Sequence, residues 1–249
     1  MYLTIRGLVT RVTAYNDTDA LLTVLSDENG KLTVKARGVR RKNSPLTASC
    51  QLLAYAEFTL FEYRGMYTIN EARSIELFAG LQKDLTKLSL ATYFAQVSDV
   101  IAQEDIVSPQ LLSLTLNCLY ALDKLDVPME QVKAVFELRC ACLAGYMPDL
   151  SGCYACENRS PERFNVFEGR LECLKCTDHY GDGIRMPINA GILDAMRYVV
   201  SCDDRRLLAF RVNEETATYL SAITECYLMR QLEQSFSALD FYKSLTFLN

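Results

Sequence analysis

Up to about residue 80 apolar residues alternate with polar ones, and from Leu81 onward they recur at helical spacing. One chain with both periods, in that order, points to a multi-domain α+β protein with a sheet followed by helices. In "KLTVKAR", Leu32, Val34 and Ala36 fall on one face, and Lys31, Thr33, Lys35 and Arg37 on the other. "DENG" (27–30) supplies a turn back to the apolar run "ALLTVLS". Arg64-Gly65 sits between two aromatic-rich runs and predicts a second hairpin. With the opening run "LTIRGLVTRVTAY", whose phase change near Gly7 predicts a bulge, the expectation is about five strands. Five strands in about eighty residues favour a small closed barrel, because closure removes exposed edges.

Beyond residue 81, Leu81, Leu85, Leu88, Val97 and Ile101 mark a first helix. Ser108-Pro109 is a helix start, followed by the stripe Leu112, Leu116, Leu119 and Leu122. A further helix is expected from Met129 to Ala144, capped at Gly145. "AGILDAMRYVVSC" and "EETATYLSAITECYLMRQLEQSF" return to the same period. The expected division is a barrel domain at 1–80 and a helical domain at 81–249, with an insertion at about 151–181.

That insertion contains "CYAC" at 153–156 and "CLKC" at 173–176. A CxxC spacing lets two thiolates approach one ion from a tight turn, and a second pair completes a tetrahedron. Four sulfurs with no open position suit one structural zinc, held by Cys153, Cys156, Cys173 and Cys176. "RFNVFEGRLEC" between the pairs reads as the hairpin of a zinc ribbon. The other six of ten cysteines are scattered in mostly apolar stretches and read as small buried hydrophobes. His179, the single histidine, lies three residues past Cys176 and is read as a neighbour or surface residue.

Charge is unevenly placed. The chain carries a net −5, yet residues 1–42 hold eight Lys/Arg against four Asp/Glu. "KARGVRRKNS" (35–44) has five cations and no acid. Lys31, Lys35 and Arg37 on the wet strand face, continuing through Arg40, Arg41 and Lys42, form a candidate phosphate track. Tyr55, Phe58, Phe61, Tyr63 and Tyr67 lie on neighbouring strands; Phe58 is read as core, with Tyr63 and Tyr67 as stacking candidates.

Several classes have no support. One histidine builds no Ser-His-Asp triad, and neither GxxxxGK[ST] nor GxGxxG occurs. No catalytic residue is assigned, and a non-enzymatic protein is expected. Half the residues are hydrophobic, but no apolar run approaches the roughly 20 that cross a bilayer. "MYLTIRGLVT" lacks the form of a signal peptide, so a cytoplasmic protein is expected.

The stretch "YNDTDALLTVLSDENGKLTVKARGVRRKNS", the order barrel, helices, four-cysteine module, helices, and the ending "FYKSLTFLN" together resemble the RecO family of bacterial recombination mediators. The resemblance implies an OB-fold that binds single- and double-stranded DNA and anneals complementary strands. It implies partnership with RecR, contact with single-strand-binding protein, and loading of RecA at the nucleoid. Carried over by position, Lys35, Arg37, Arg40, Arg41 and Lys42 become DNA contacts, and the four cysteines take a zinc role that only some members keep. Where relatives often continue basic after the serine, "PLTASC" here is neutral, so the track is expected to stop at Lys42. Arg197, Arg205, Arg206 and Arg230 are candidates for a rim around an acidic, apolar protein tail. The alternative is a zinc-ribbon interaction adaptor whose barrel binds RNA or peptide.

Overall fold

The computed structural model describes residues 2–104, 106–176 and 183–246. In chain order the elements are β1 (Tyr2–Ala14), β2 (Ala20–Ser26), β3 (Lys31–Ala36), β4 (Tyr55–Tyr63) and β5 (Met66–Glu76), then α1 (Leu85–Ile101), α2 (Pro109–Lys124) and α3 (Met129–Leu143). Four short strands follow, β6 (Asp149–Cys153), β7 (Arg163–Asn165), β8 (Arg170–Glu172) and β9 (Arg185–Pro187), then α4 (Ala190–Ser201), α5 (Glu214–Leu232) and α6 (Ser237–Thr246). The chain forms two compact units, one of residues 1–125 with 236–249 and one of residues 126–235. No helix among the described residues is long and apolar enough to cross a membrane.

In the first unit the five strands close into a barrel in the order β1-β2-β3-β5-β4. Closure depends on β1. Its residues 2–8 pair with β4 and its residues 7–14 with β2, so it serves two neighbours in succession. The strand turns between them at a bulge: Val9 and Arg11 oppose Val24 and Thr23, leaving Thr10 as the extra residue. The bulge therefore lies at Thr10 and not near Gly7. Gly7 has a different task, because it pairs with both neighbours at once. A Cβ there would collide with Val24 Cγ1 and stand 3.0 Å from Leu25 O. The phase change in the sequence reflects this crossing as well as the bulge.

Alternation then decides what is inside. Leu32, Val34 and Ala36 of β3 are buried, as are Leu22, Val24, Phe58, Leu60 and Ile69 around the same core. Asp84 caps α1 by accepting from the Thr86 and Lys87 amides. Asp99, a buried acid of α1, is ion-paired to Arg11 of the barrel and accepts Lys31 Nζ on its carbonyl at 2.9 Å. Pro109 opens α2, with Ser108 at the cap.

In the second unit α3 packs on α5. It ends in a Schellman motif, with Tyr146 N–H donating to Ala141 O at 2.8 Å and Gly145 N–H to Cys142 O at 3.1 Å. Lys133, at 1% exposure, lies between Glu137 (2.9 Å) and Glu225 (2.8 Å). Burial pushes the Glu137 carboxyl up to about 7, although the Lys133 ammonium beside it pulls the other way. Asn189 and Asn213 cap α4 and α5 through their side chains.

Candidate nucleic-acid interface and metal centre

On the outer barrel wall, four residues form a row across four strands. Tyr2 pairs with Phe61, Phe61 with Thr68, and Thr68 with Lys35. The next row holds Tyr63 opposite Met66 at the β4–β5 turn. These residues, with Arg37, Ile69 and Asn70, line an open concavity of about 450 Å³. The Tyr2 and Phe61 rings lie 5.4 Å apart and tilted, and Tyr2, Tyr63 and Met66 are each more than half exposed. Apolar rings are thus left in water beside two cations. In five-stranded barrels of this topology, the β2–β3 face and the loops after β1 and β4 take oligonucleotides or oligosaccharides.

The basic run is held by the loop between β1 and β2. Asn16 Oδ1 accepts from the Thr18 and Asp19 amides and shapes that loop. Asp19 then reaches across to β3. Its Oδ1 accepts from Gly38 N–H at 2.8 Å, and its Oδ2 lies 3.2 Å from Lys35 Nζ. The Gly38 amide, with Lys35, Asn16 and Thr18, holds the Asp19 carboxyl far below its usual range. Arg40 closes the clasp through Nη1 to Asn16 O at 2.6 Å and its amide to Thr18 O at 3.0 Å.

The six basic residues singled out by sequence therefore divide. Lys31 is turned to Asp99, and Arg40 lies in the clasp. Lys35 pairs with Asp19 and lies 4.3 Å from the Tyr15 ring centre, yet still borders the concavity. Arg37, Arg41 and Lys42 are exposed and form no ion pair among the described residues. Beyond them the neutral segment turns inward: Ser49 bonds Ser74 at 2.8 Å, and Cys50 is buried. Of the aromatic candidates, Phe58 is core and Tyr63 is exposed, while Tyr67 packs against the core. Tyr2 and Phe61 were missed as partners because their meeting depends on the β1–β4 register, which no local pattern reveals.

The second site lies in the small sheet β6-β8-β7-β9. The β7–β8 hairpin expected from "RFNVFEGRLEC" is present, with Phe164 opposite Leu171. The sulfurs of Cys153, Cys156, Cys173 and Cys176 all lie within 4.8 Å of one another, and those of Cys156 and Cys173 are 3.7 Å apart. A tetrahedron with metal–sulfur bonds near 2.3 Å has edges of about 3.8 Å, so the set fits one ion. The electrostatics agree. Burial raises the Cys153 thiol, but amide donors from Ala155, Cys173 and Cys156 outweigh it and hold it at about 6. The Cys156 thiol beside it, then burial and Cys153, push Cys176 up to about 12. Four thiolates this close need a cation between them. By contrast, Cys50 is pushed up to about 12 by burial alone and is an inert packing residue.

Close approach shapes the first knuckle. A Cβ on Gly152 would lie 2.9 Å from Glu157 O, so glycine lets the chain double back. The module is anchored on the helices. Arg197 of α4 donates to Leu150 O, Ser151 O and Arg159 O, at 2.9, 3.3 and 2.9 Å. Phe164 packs edge-on against Tyr227 of α5, and Arg230 lies over the Phe167 ring. Arg197 and Arg230 thus brace the module, whereas Arg205 and Arg206 are exposed. His179 lies outside the described residues.

The family described as Recombination protein O N terminal matches residues 1–78, and Recombination protein O C terminal matches residues 82–240. The chain is similar to the DNA repair protein RecO of Acetivibrio thermocellus, 32% identical over 246 residues, covering 98% of this chain and 97% of that one. It is 29% identical to the protein of the same name from Alkaliphilus metalliredigens, over 98% of this chain and all of that one. A third, from Symbiobacterium thermophilum, is 27% identical over 96% of both chains.

Proposed function

Because the chain belongs to the RecO family of DNA repair proteins, we propose that it is a non-enzymatic recombination mediator that binds single- and double-stranded DNA and anneals complementary strands. Its partners in this reading are RecR and single-strand-binding protein, and its outcome is RecA loaded onto coated single strands, in the cytoplasm at the nucleoid. Residues 1–80 are the DNA-binding domain. Residues 81–249 carry the helical part and, at about 151–181, a module folded around one zinc. The observation that carries the reading is the barrel wall where Arg37 stands exposed beside a solvent-facing aromatic row, with Arg41 and Lys42 exposed in the turn that follows β3.

The chemistry is electrostatic. Two complementary strands repel through their phosphates, and cations that replace the condensed counterions lower that repulsion while gaining the entropy of counterion release. Lys35 and Arg37 sit at the edge of the concavity, and Arg41 and Lys42 extend the positive track beyond the strand end. Zinc, when bound, ties the two knuckles together and supplies no reaction centre, since four cysteines leave no position for water. The test is annealing of complementary strands coated with single-strand-binding protein. Acceleration by this protein supports the reading, and no acceleration with or without RecR contradicts it.

A further inference from the structure

We propose that the Tyr2–Phe61–Tyr63 cluster is a base-stacking subsite, which gives unpaired strands a contact on the barrel wall that a duplex, held through its phosphates alone, does not make. The inference rests on the DNA-binding reading above but adds a separate contact, to bases and not to phosphates. Three observations carry it. First, Tyr2, Phe61, Tyr63 and Met66 are exposed side by side, with Tyr2 and Tyr63 at 64% and 60% exposure. A barrel has no packing reason to leave three rings in water on one wall, and such a patch marks a binding surface. Second, the occupant is set by charge. The rings share one concavity with Lys35 and Arg37, and Arg37 has no acid paired to it among the described residues. A flat apolar face joined to a cation fits a nucleobase with its phosphate. Third, the row is ordered. From Phe61 the outward neighbours are Thr68 and then Lys35, two strand spacings of about 4.8 Å away, so the Tyr2 and Phe61 rings and the Lys35 cation lie along one line across the sheet. Asn70, at the edge, offers an amide that donates and accepts toward a base edge.

Bases inside a duplex are already stacked on one another and offer no free face, whereas an unpaired strand does. The phosphate track alone does not make that distinction.

The experiment compares a twelve-nucleotide thymidine strand with an abasic strand of the same length and charge, at one salt concentration, by fluorescence anisotropy on the full-length protein. The wild type is expected to bind the thymidine strand about tenfold or more tightly than the abasic one. Tyr2→Leu with Phe61→Leu and Tyr63→Leu keeps apolar bulk on the wall while removing the rings. This variant is expected to bind both strands alike, with the abasic affinity of the wild type unchanged. Tyr63→Ala alone, at a turn-flanking exposed position, should lose part of the preference. Equal binding of both strands by the wild type, or a preference that survives loss of the rings, overturns the inference. Either result leaves the phosphate reading standing if the abasic strand binds in a salt-dependent way. The opposite pattern, a base preference with no salt dependence, would keep the subsite and remove the phosphate track.

Discussion

Asp19 decides where the basic run points. It is short enough to sit under the β1–β2 loop, and it gathers Gly38 N–H, Lys35 Nζ, Asn16 and Thr18 onto one carboxylate. Its carboxyl is held below the ordinary value of 3.8, so its contribution is present above about pH 4 and is lost as pH falls further. Asp19→Ala should free the clasp: hydrogen exchange at the Gly38 and Arg40 amides is expected to rise markedly, while Val34, inside the barrel, stays protected. Unchanged exchange at Gly38 would show that the turn holds itself. This residue also marks the limit of what sequence reveals. The cations of "KARGVRRKNS" are visible as a run, and the alternation of β3 correctly puts Lys35 and Arg37 outward. That Lys35 and Arg40 face a partner fifteen or more residues earlier is a tertiary fact, and no local period encodes it.

Elements show the same division between local and distant signals. Strand alternation, the helix start at Pro109, the helix end at Gly145 and the paired cysteines are each specified by residues close together and are found where the sequence puts them. The first helix, by contrast, begins at Leu85, and Leu81–Lys83, expected within it, form a separate 3-10 turn. The bulge was displaced to Thr10 because one glycine can signal either a bulge or a close approach, and only the pairing of β1 with two neighbours tells them apart. The buried Lys133 carried no signal at all, since one lysine on an apolar helix reads as a surface residue. Its removal gives a sharp outcome. Lys133→Met leaves Glu137 in the α3–α5 packing without its cation, and is expected to cost about 3–5 kcal/mol in chemical denaturation. Lys133→Met with Glu137→Leu should recover much of that loss, and a silent single variant would contradict the account. The metal module is a third case. Native mass spectrometry should find one zinc per chain, and Cys153→Ser or a chelator should open residues 151–176 to protease while the barrel core stays protected. Ion binding by four thiolates contributes on the order of 10 kcal/mol to such modules, so partial loss is not expected.

Taken as a whole, the molecule is acidic but its sign is not uniform: the −5 total coexists with eight cations against four acids in residues 1–42. An acidic protein with a locally positive wall approaches a polyanion through that wall, because local field and not net charge governs encounter. The family match spans both halves of the chain, residues 1–78 and 82–240, so the barrel and the helical part both belong to it. In the barrel half the run of cations ends at Lys42, and an aromatic row borders the same concavity as Lys35 and Arg37. The central claim is that Arg37, Arg41 and Lys42 meet phosphate. It is tested most directly by titrating a labelled single strand at several salt concentrations with wild type and with Arg37→Ala, Arg41→Ala and Lys42→Ala combined. Each lost contact to single-stranded DNA lowers the slope of log K against log salt by roughly 0.7, so the triple variant should bind more weakly with a slope shallower by about 2. Equal affinity and an equal slope in the two proteins would contradict the account.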